Sequence, residues 1–176
     1  MHSKLVRTPG LFLVGFMGCG KTTVGQLLGD ELGWSFADLD DDIVAAAGCS
    51  ISEYFAQHGE AEFRKLEHSL LQQRIRKIQF CQPTVLSLGG GAFAQPDNVT
   101  LLTENGLSVW LDCPLELILR RIAGHSHRPL AQDPVKFEEL FHSRKAAYAQ
   151  ADFHVEITAD DPHVALTNIM KLPHLF

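Results

Sequence analysis

No apolar run in this chain approaches the roughly 20 residues that a bilayer-spanning helix needs. The apolar stretch nearest the N-terminus, Leu11–Phe16, is too short for a signal-peptide core. These two absences lead us to expect a soluble cytoplasmic protein without membrane attachment. Basic residues are also scarce: 15 Lys and Arg face 21 Asp and Glu, a formal net charge of -6. That balance excludes the broad basic surface on which non-specific nucleic-acid binding depends. An anionic ligand must then be held by a few locally placed cations. The four cysteines, Cys19, Cys49, Cys81 and Cys113, contain no C-x-x-C pair, which speaks against a zinc ribbon or a disulfide framework and for reduced thiols. Their spacing of about thirty is no repeat, because the flanking residues do not resemble one another. No Pro/Gly/Ser-rich linker and no low-complexity stretch divides residues 1–176, so one domain is expected.

What is present is an alternation of short apolar runs and helical patterns. Leu11–Gly15, Trp34–Asp38, Thr84–Leu88, Leu107–Leu111 and Phe153–Ile157 read as strands. Lys21–Leu32, Glu60–Lys77, Pro114–Ile122 and Val135–Ala149 have helical spacing. Asp133-Pro134 and Asp161-Pro162 each place an N-cap beside a proline suited to the first helical position. Ser50-Ile-Ser-Glu53 has the spacing of a capping box. Such alternation predicts an α/β fold, a parallel sheet with helices on both faces. One polar, poorly periodic segment, residues 123–134, interrupts the pattern and reads as a mobile lid.

Gly15-Phe-Met-Gly-Cys-Gly-Lys21-Thr22 is a complete G-x-x-x-x-G-K-[ST] phosphate-binding loop. It follows a predicted strand and opens a predicted helix, the context the motif requires. Its glycines let successive N–H groups turn toward phosphate oxygens, and the helix N-terminus adds partial positive charge. Lys21 is expected to reach the β- and γ-phosphates of ATP, and the Thr22 hydroxyl to ligate Mg2+. The guanine-reading N-K-x-D tetrapeptide is missing, which excludes a GTPase switch. The third strand runs into Gly89-Gly-Gly91 rather than ending in the Asp usual for motor ATPases. Asp112 does end a strand, but before Cys113-Pro114 it reads as part of a helix start. A small-molecule kinase remains.

Three features fall at carboxyl ends of strands or beside them, on the acceptor side of such a sheet. Alternation puts Asp38 and Asp40 on one side of the second strand, a carboxylate pair that can serve magnesium and the acceptor hydroxyl; the alternative is that Asp40, Asp41 and Asp42 cap the next helix. Glu60, Phe63, Arg64 and Glu67 share a helical face. Either that face lies in solvent with Glu60–Arg64 as a weak surface pair, or Glu60 and Glu67 hold the Arg64 fork rigid for a ligand carboxylate. Gly89, Gly90 and Gly91 either expose backbone N–H groups to a ligand or form a flexible turn.

Taken in order, Gly15–Thr22, Asp38-Leu-Asp40, Phe63-Arg64 with Glu67, Gly89–Gly91, Arg128-Pro-Leu130 and Arg144-Lys-Ala-Ala-Tyr148 resemble the shikimate kinase family over roughly Leu11 to Met170. The resemblance implies a three-layer α/β/α fold with a five-stranded parallel sheet of the P-loop kinase type. It implies Mg2+-dependent transfer of the ATP γ-phosphoryl group to the 3-hydroxyl of shikimate, by a monomer. Gly18, Cys19, Gly20, Lys21, Thr22 and Thr23 would then bind the phosphates, and Arg121 would lie against adenine. Thr22 would hold the metal, assisted through water by Asp38. Asp40 would orient or deprotonate the acceptor hydroxyl. Arg64 and Arg144 would pair with the shikimate carboxylate, with Gly90 near its ring hydroxyls and Ile51, Phe55 and Phe63 as apolar walls. Arg128, in the lid, would fold over the phosphates. A gluconate-type sugar-acid kinase and a catalytically inactive nucleotide-binding homologue are the competing readings. Loss of Lys21, Asp40 or Arg128 would mark the second, and all three are present. Cys19 reads as a small residue tolerated in the loop, and His125 and His127 as solvent-exposed.

Overall fold

All five residues of the first strand, β1 (Gly10–Val14), are buried, Phe12 and Leu13 completely. Such a continuous apolar run suits a strand covered on both faces, and β1 is indeed the middle of the sheet. The computed structural model describes residues 10–123 and 133–173. Within it β2 (Ser35–Asp38), β3 (Thr84–Ser87), β4 (Gly106–Asp112) and β5 (Phe153–Glu156) pair with β1 in the order β2-β3-β1-β4-β5, every pair parallel. The expected strands and observed ones differ by a residue or two at their ends. Residues 124–132, with Arg128, His125, His127 and most of the expected lid, lie outside the described residues.

Helix α1 spans Lys21–Leu32, as its spacing predicts, and packs on β2 and β3. Its Gly25 is required by close approach, since a Cβ there would run into the Phe36 ring. The capping box at Ser50 and Glu53 forms in full. It opens α3 (Ile51–Gln79), two helices joined across a kink at Gly59 (φ 78°, ψ 174°), of which the expected Glu60–Lys77 is the second. Two helices were not evident from spacing: α2 (Leu39–Ala47) and α4 (Pro96–Asn105). The remaining helices are α5 (Leu115–Ile122), α6 (Pro134–Tyr148) and α7 (Pro162–Met170), with Asp133 and Asp161 capping α6 and α7. Helices cover both sides of the sheet.

Two expectations need correction. The second strand does not carry Asp38 and Asp40 on one face, because Asp38 is the N-cap of α2 and its carboxylate accepts from the Asp40 N–H at 3.0 Å. The cap ends the strand, so Asp40 enters the first helical turn. Asp112 does not start a helix either. Pro114 is the N-cap of α5, without a side-chain cap, while Asp112 lies near His154 Nε2 (3.1 Å) and Lys145 Nζ (3.5 Å).

With β1 between β3 and β4, a crevice opens beyond the carboxyl ends of the strands, the usual ligand position in open α/β sheets. Phe16, directly after β1, packs edge-on against Phe137 and Phe141 of α6, with centroids 5.2 and 5.3 Å away. Burial of such rings stabilises by roughly 1.5–3 kcal/mol each, and here it seats α6 on the loop that follows β1.

Candidate active site

The loop after β1 takes its shape from backbone angles only glycine adopts readily. Gly15, Gly18 and Gly20 have φ of 143°, 78° and 100°. At Gly15 a Cβ would also stand 2.7 Å from the Leu111 carbonyl oxygen. Gly20 caps α1 without a side-chain hydrogen bond, so the first amides of the helix remain available to an anion. Lys21 folds back over the loop, its Nζ donating to the carbonyls of Gly15 (2.8 Å) and Phe16 (3.1 Å). Gly18, Cys19, Gly20, Lys21, Thr22 and Thr23 all line one cavity of about 720 Å³. Cys19 is 1% exposed, which closes its thiol to solvent reagents.

The same cavity takes in Asp38, Asp40, Gly90 and Arg121. The Thr22 hydroxyl donates to Asp38 Oδ2 at 2.9 Å, so the cap of α2 and the first turn of α1 meet. Arg121 is held from two sides: its Nε donates to Asp160 (2.7 Å) and its Nη1 to the Gly18 carbonyl (3.2 Å). Ala159, Asp160, Asp161 and Pro162 form part of the cavity wall. That wall was missed from the sequence, where Asp161-Pro162 signalled only a helix start.

Beyond Asp40 the surroundings of the cavity are tightly packed. Arg64 Nη1 donates to Glu67 Oε2 at 2.8 Å, and Glu60 lies 3.5 Å from Nη2. Glu67 is 1% exposed, so Arg64–Glu67 is an interior ion pair, while Glu60, its side chain 69% exposed, makes the loose surface pair with Arg64 that spacing left open. Burial pushes the Glu67 carboxyl above its ordinary value, and the Arg64 hydrogen bond opposes that rise. Arg64 Nε is buried with no hydrogen-bond partner, an unsatisfied donor that calls for an explanation. Phe63 is buried beside it and stacks on Phe55 at 4.3 Å, while Ile51 lines the main cavity.

At two positions of the glycine run a side chain would crowd its neighbours. A Cβ at Gly89 would stand 2.5 Å from Asp40 Oδ1, and one at Gly91 2.5 Å from Arg64 Nη2. Gly89, Gly91, Arg64 and Arg144 flank the main cavity rather than line it. Arg144, half-buried on α6, is near enough for its charge to act on Glu67. Tyr148, one turn further on, donates its hydroxyl to the Gly90 carbonyl at 2.6 Å. Nothing in the spacing of the sequence assigned Tyr148 a role of its own.

Oxygen donors at the meeting of α1 and α2 fit a magnesium ion. Thr22 and Asp38 offer a hydroxyl and a carboxylate in contact, and Mg2+ commonly takes one or two such protein ligands with water and substrate phosphates. Among the described residues no group of three or more His, Cys, Asp or Glu is placed to hold a metal ion. Also among the described residues, no helix is long and apolar enough to cross a membrane.

Comparison with known proteins is consistent with this geometry. The family model described as shikimate kinase matches residues 17–172. A shikimate kinase of Persephonella marina is 38% identical over 161 residues, 91% of this chain and 96% of that protein. The structure of Acinetobacter baumannii shikimate kinase in complex with shikimate superimposes with a TM-score of 0.84 at 34% identity, over 96% of this chain and 95% of that one. A gluconokinase from Sinorhizobium meliloti shares only the fold, with a TM-score of 0.52 and 13% identity over 92% of this chain and 89% of that one.

Proposed function

The chain belongs to the shikimate kinase family, ATP-dependent kinases acting on an alcohol group, and we propose that its cleft carries out the reaction with the following division of labour. The loop Gly18–Thr23 and the amides at the start of α1 bind the ATP phosphates, and Lys21 leaves its two carbonyl partners to meet the transferred group. Arg121, held by Asp160, flanks the adenine against the Asp160–Pro162 wall. Thr22 and Asp38 hold Mg2+, Asp38 through water. When bound, the ion offsets charge on the phosphate oxygens.

Asp40 faces the acceptor hydroxyl and orients or accepts its proton. Its backbone amide is tied to Asp38, so the nucleotide and acceptor halves share one helix start. Arg64, kept in place by Glu67, and Arg144 pair with the shikimate carboxylate, and Gly89, Gly90 and Gly91 admit the ring close to the backbone. Arg128, from residues 123–134, closes over the phosphates. Phosphoryl transfer is mainly positioning and charge stabilisation, and this arrangement supplies both within one chain. That completeness supports a monomer. ATP as co-substrate and four unpaired cysteines support a cytoplasmic enzyme.

The observation that carries the acceptor reading is the buried Arg64–Glu67 pair with an orphan Nε beside the glycine run. A gluconate kinase would need a carboxylate clamp too, but only the fold is shared with one. The test is ADP release by the wild-type chain with magnesium, given shikimate or gluconate. Release with shikimate is expected. Release with gluconate alone would refute the acceptor, and nucleotide binding without release would favour an inactive homologue.

A further inference from the structure

Tyr148, the last residue of α6, is 2% exposed. A phenylalanine would fill nearly the same interior space, so the hydroxyl needs its own explanation. It donates to the Gly90 carbonyl at 2.6 Å, and a Cβ on Gly90 would come within 3.3 Å of the phenol oxygen. Gly90 lies between Gly89, where a Cβ would meet Asp40, and Gly91, where a Cβ would meet Arg64. Arg144 precedes Tyr148 by four residues and shares its helical face. Among the described residues no hydrogen bond or ion pair holds Arg144 itself. Its position therefore depends on where the last turn of α6 is fixed.

The first half of α6 is seated by Phe137 and Phe141 on Phe16. At the other end Lys145 lies 3.5 Å from Asp112 with its side chain 42% exposed, a loose pair. The Tyr148–Gly90 bond is the buried polar tie there. We infer that Tyr148 is a positioning residue of the acceptor site: its hydroxyl fixes the last turn of α6 to the glycine run and so sets the separation of Arg144 from Arg64. This rests on the kinase reading above, in which both arginines meet one carboxylate. A carboxylate clamp is sensitive to such a spacing, because misplacement by about 1 Å is enough to lose much of a site's effect.

The experiment compares wild type, Tyr148→Phe, Gly90→Ala and the double variant by steady-state kinetics in both substrates and by thermal melting. Tyr148→Phe is expected to raise the KM for shikimate about three- to tenfold, the worth of one buried hydrogen bond, with the KM for ATP unchanged. Gly90→Ala should do less harm in the Tyr148→Phe background than alone, since the crowding oxygen is gone. Lys145→Ala should leave the shikimate KM near wild type. An unchanged shikimate KM in Tyr148→Phe would overturn the inference. So would equal increases in both KM values with a lowered Tm, the signature of a merely structural residue. Wild-type protein that does not turn over shikimate would instead overturn the kinase reading, and this inference with it.

Discussion

The two halves of the cleft, as proposed, are built in opposite ways. The nucleotide half is one continuous segment, Gly15–Thr23, whose form follows from three positive-φ glycines and the start of α1. The acceptor half draws Asp40 from α2, Arg64 and Glu67 from α3, the glycine run from the end of β3, and Arg144 with Tyr148 from α6. A contiguous loop fixes its geometry through local backbone angles. A dispersed site fixes it through contacts between elements, so its tolerances lie in packing and in single buried hydrogen bonds. Changes in the first half should therefore strike chemistry without disturbing the acceptor, whereas changes in the second should spread.

The largest effect should come from Lys21→Ala. Removing a charged donor from developing negative charge costs on the order of 10²–10³-fold in kcat. Shikimate affinity, measured by calorimetry without nucleotide, should stay near wild type; a matching loss there would break the division into halves. Next is Gly89→Ala, whose Cβ must displace the Asp40 carboxylate. A kcat loss of roughly 10²-fold is expected from misplacement of that group. The control is Gly48→Ala, at φ 70° with open space around it. Forcing a Cβ into that conformation should cost about 1–2 kcal/mol in urea unfolding and leave kinetics alone. If the two variants behave alike, the glycine run is not a space requirement.

A smaller effect is expected for Glu67→Gln. It should raise the shikimate KM roughly threefold or more as Arg64 loses its charged anchor. Burial raises the Glu67 carboxyl above 4.5, so just above that pH the native state holds more protons than the unfolded chain. Its contribution to stability falls as pH climbs from about 4.5 through the raised pKa, then levels off. Unfolding midpoints across the weakly acid range should show that decline in wild type and lose it in the variant. The smallest effect should be that of Arg74→Met. Arg74 makes a two-bond pair with Asp42, both about a quarter exposed, behind the site. A loss of ~1 kcal/mol or less is expected, with no kinetic change, as measured by urea unfolding beside the coupled assay.

Much of the fold was legible because its signals are local. The buried run of β1, the caps at Ser50, Asp133 and Asp161, and the helix from Lys21 can each be read within a few residues. Gly59 kinks α3 into two helices, so the periodicity of Glu60–Lys77 does not run back to the cap at Ser50. The role of Asp38 as a cap was hidden for a related reason: extended backbone and an N-cap look alike in sequence, and only the hydrogen bond from the Asp40 N–H to the Asp38 carboxylate tells them apart. Arg128 and most of the lid fall outside the described residues, so the lid reading rests on the polar, poorly periodic segment and the role of Arg128 on resemblance.

By itself the sequence determined the nucleotide loop and the kind of sheet that presents it, because contiguous backbone conformations depend on nearest neighbours. Tertiary structure alone decided that Glu67 is interior, that Gly89 and Gly91 stand against Asp40 and Arg64, and that Tyr148 reaches Gly90 across 58 residues. Those are separations between elements. They are set by how helices and strands pack, which no spacing along one segment records.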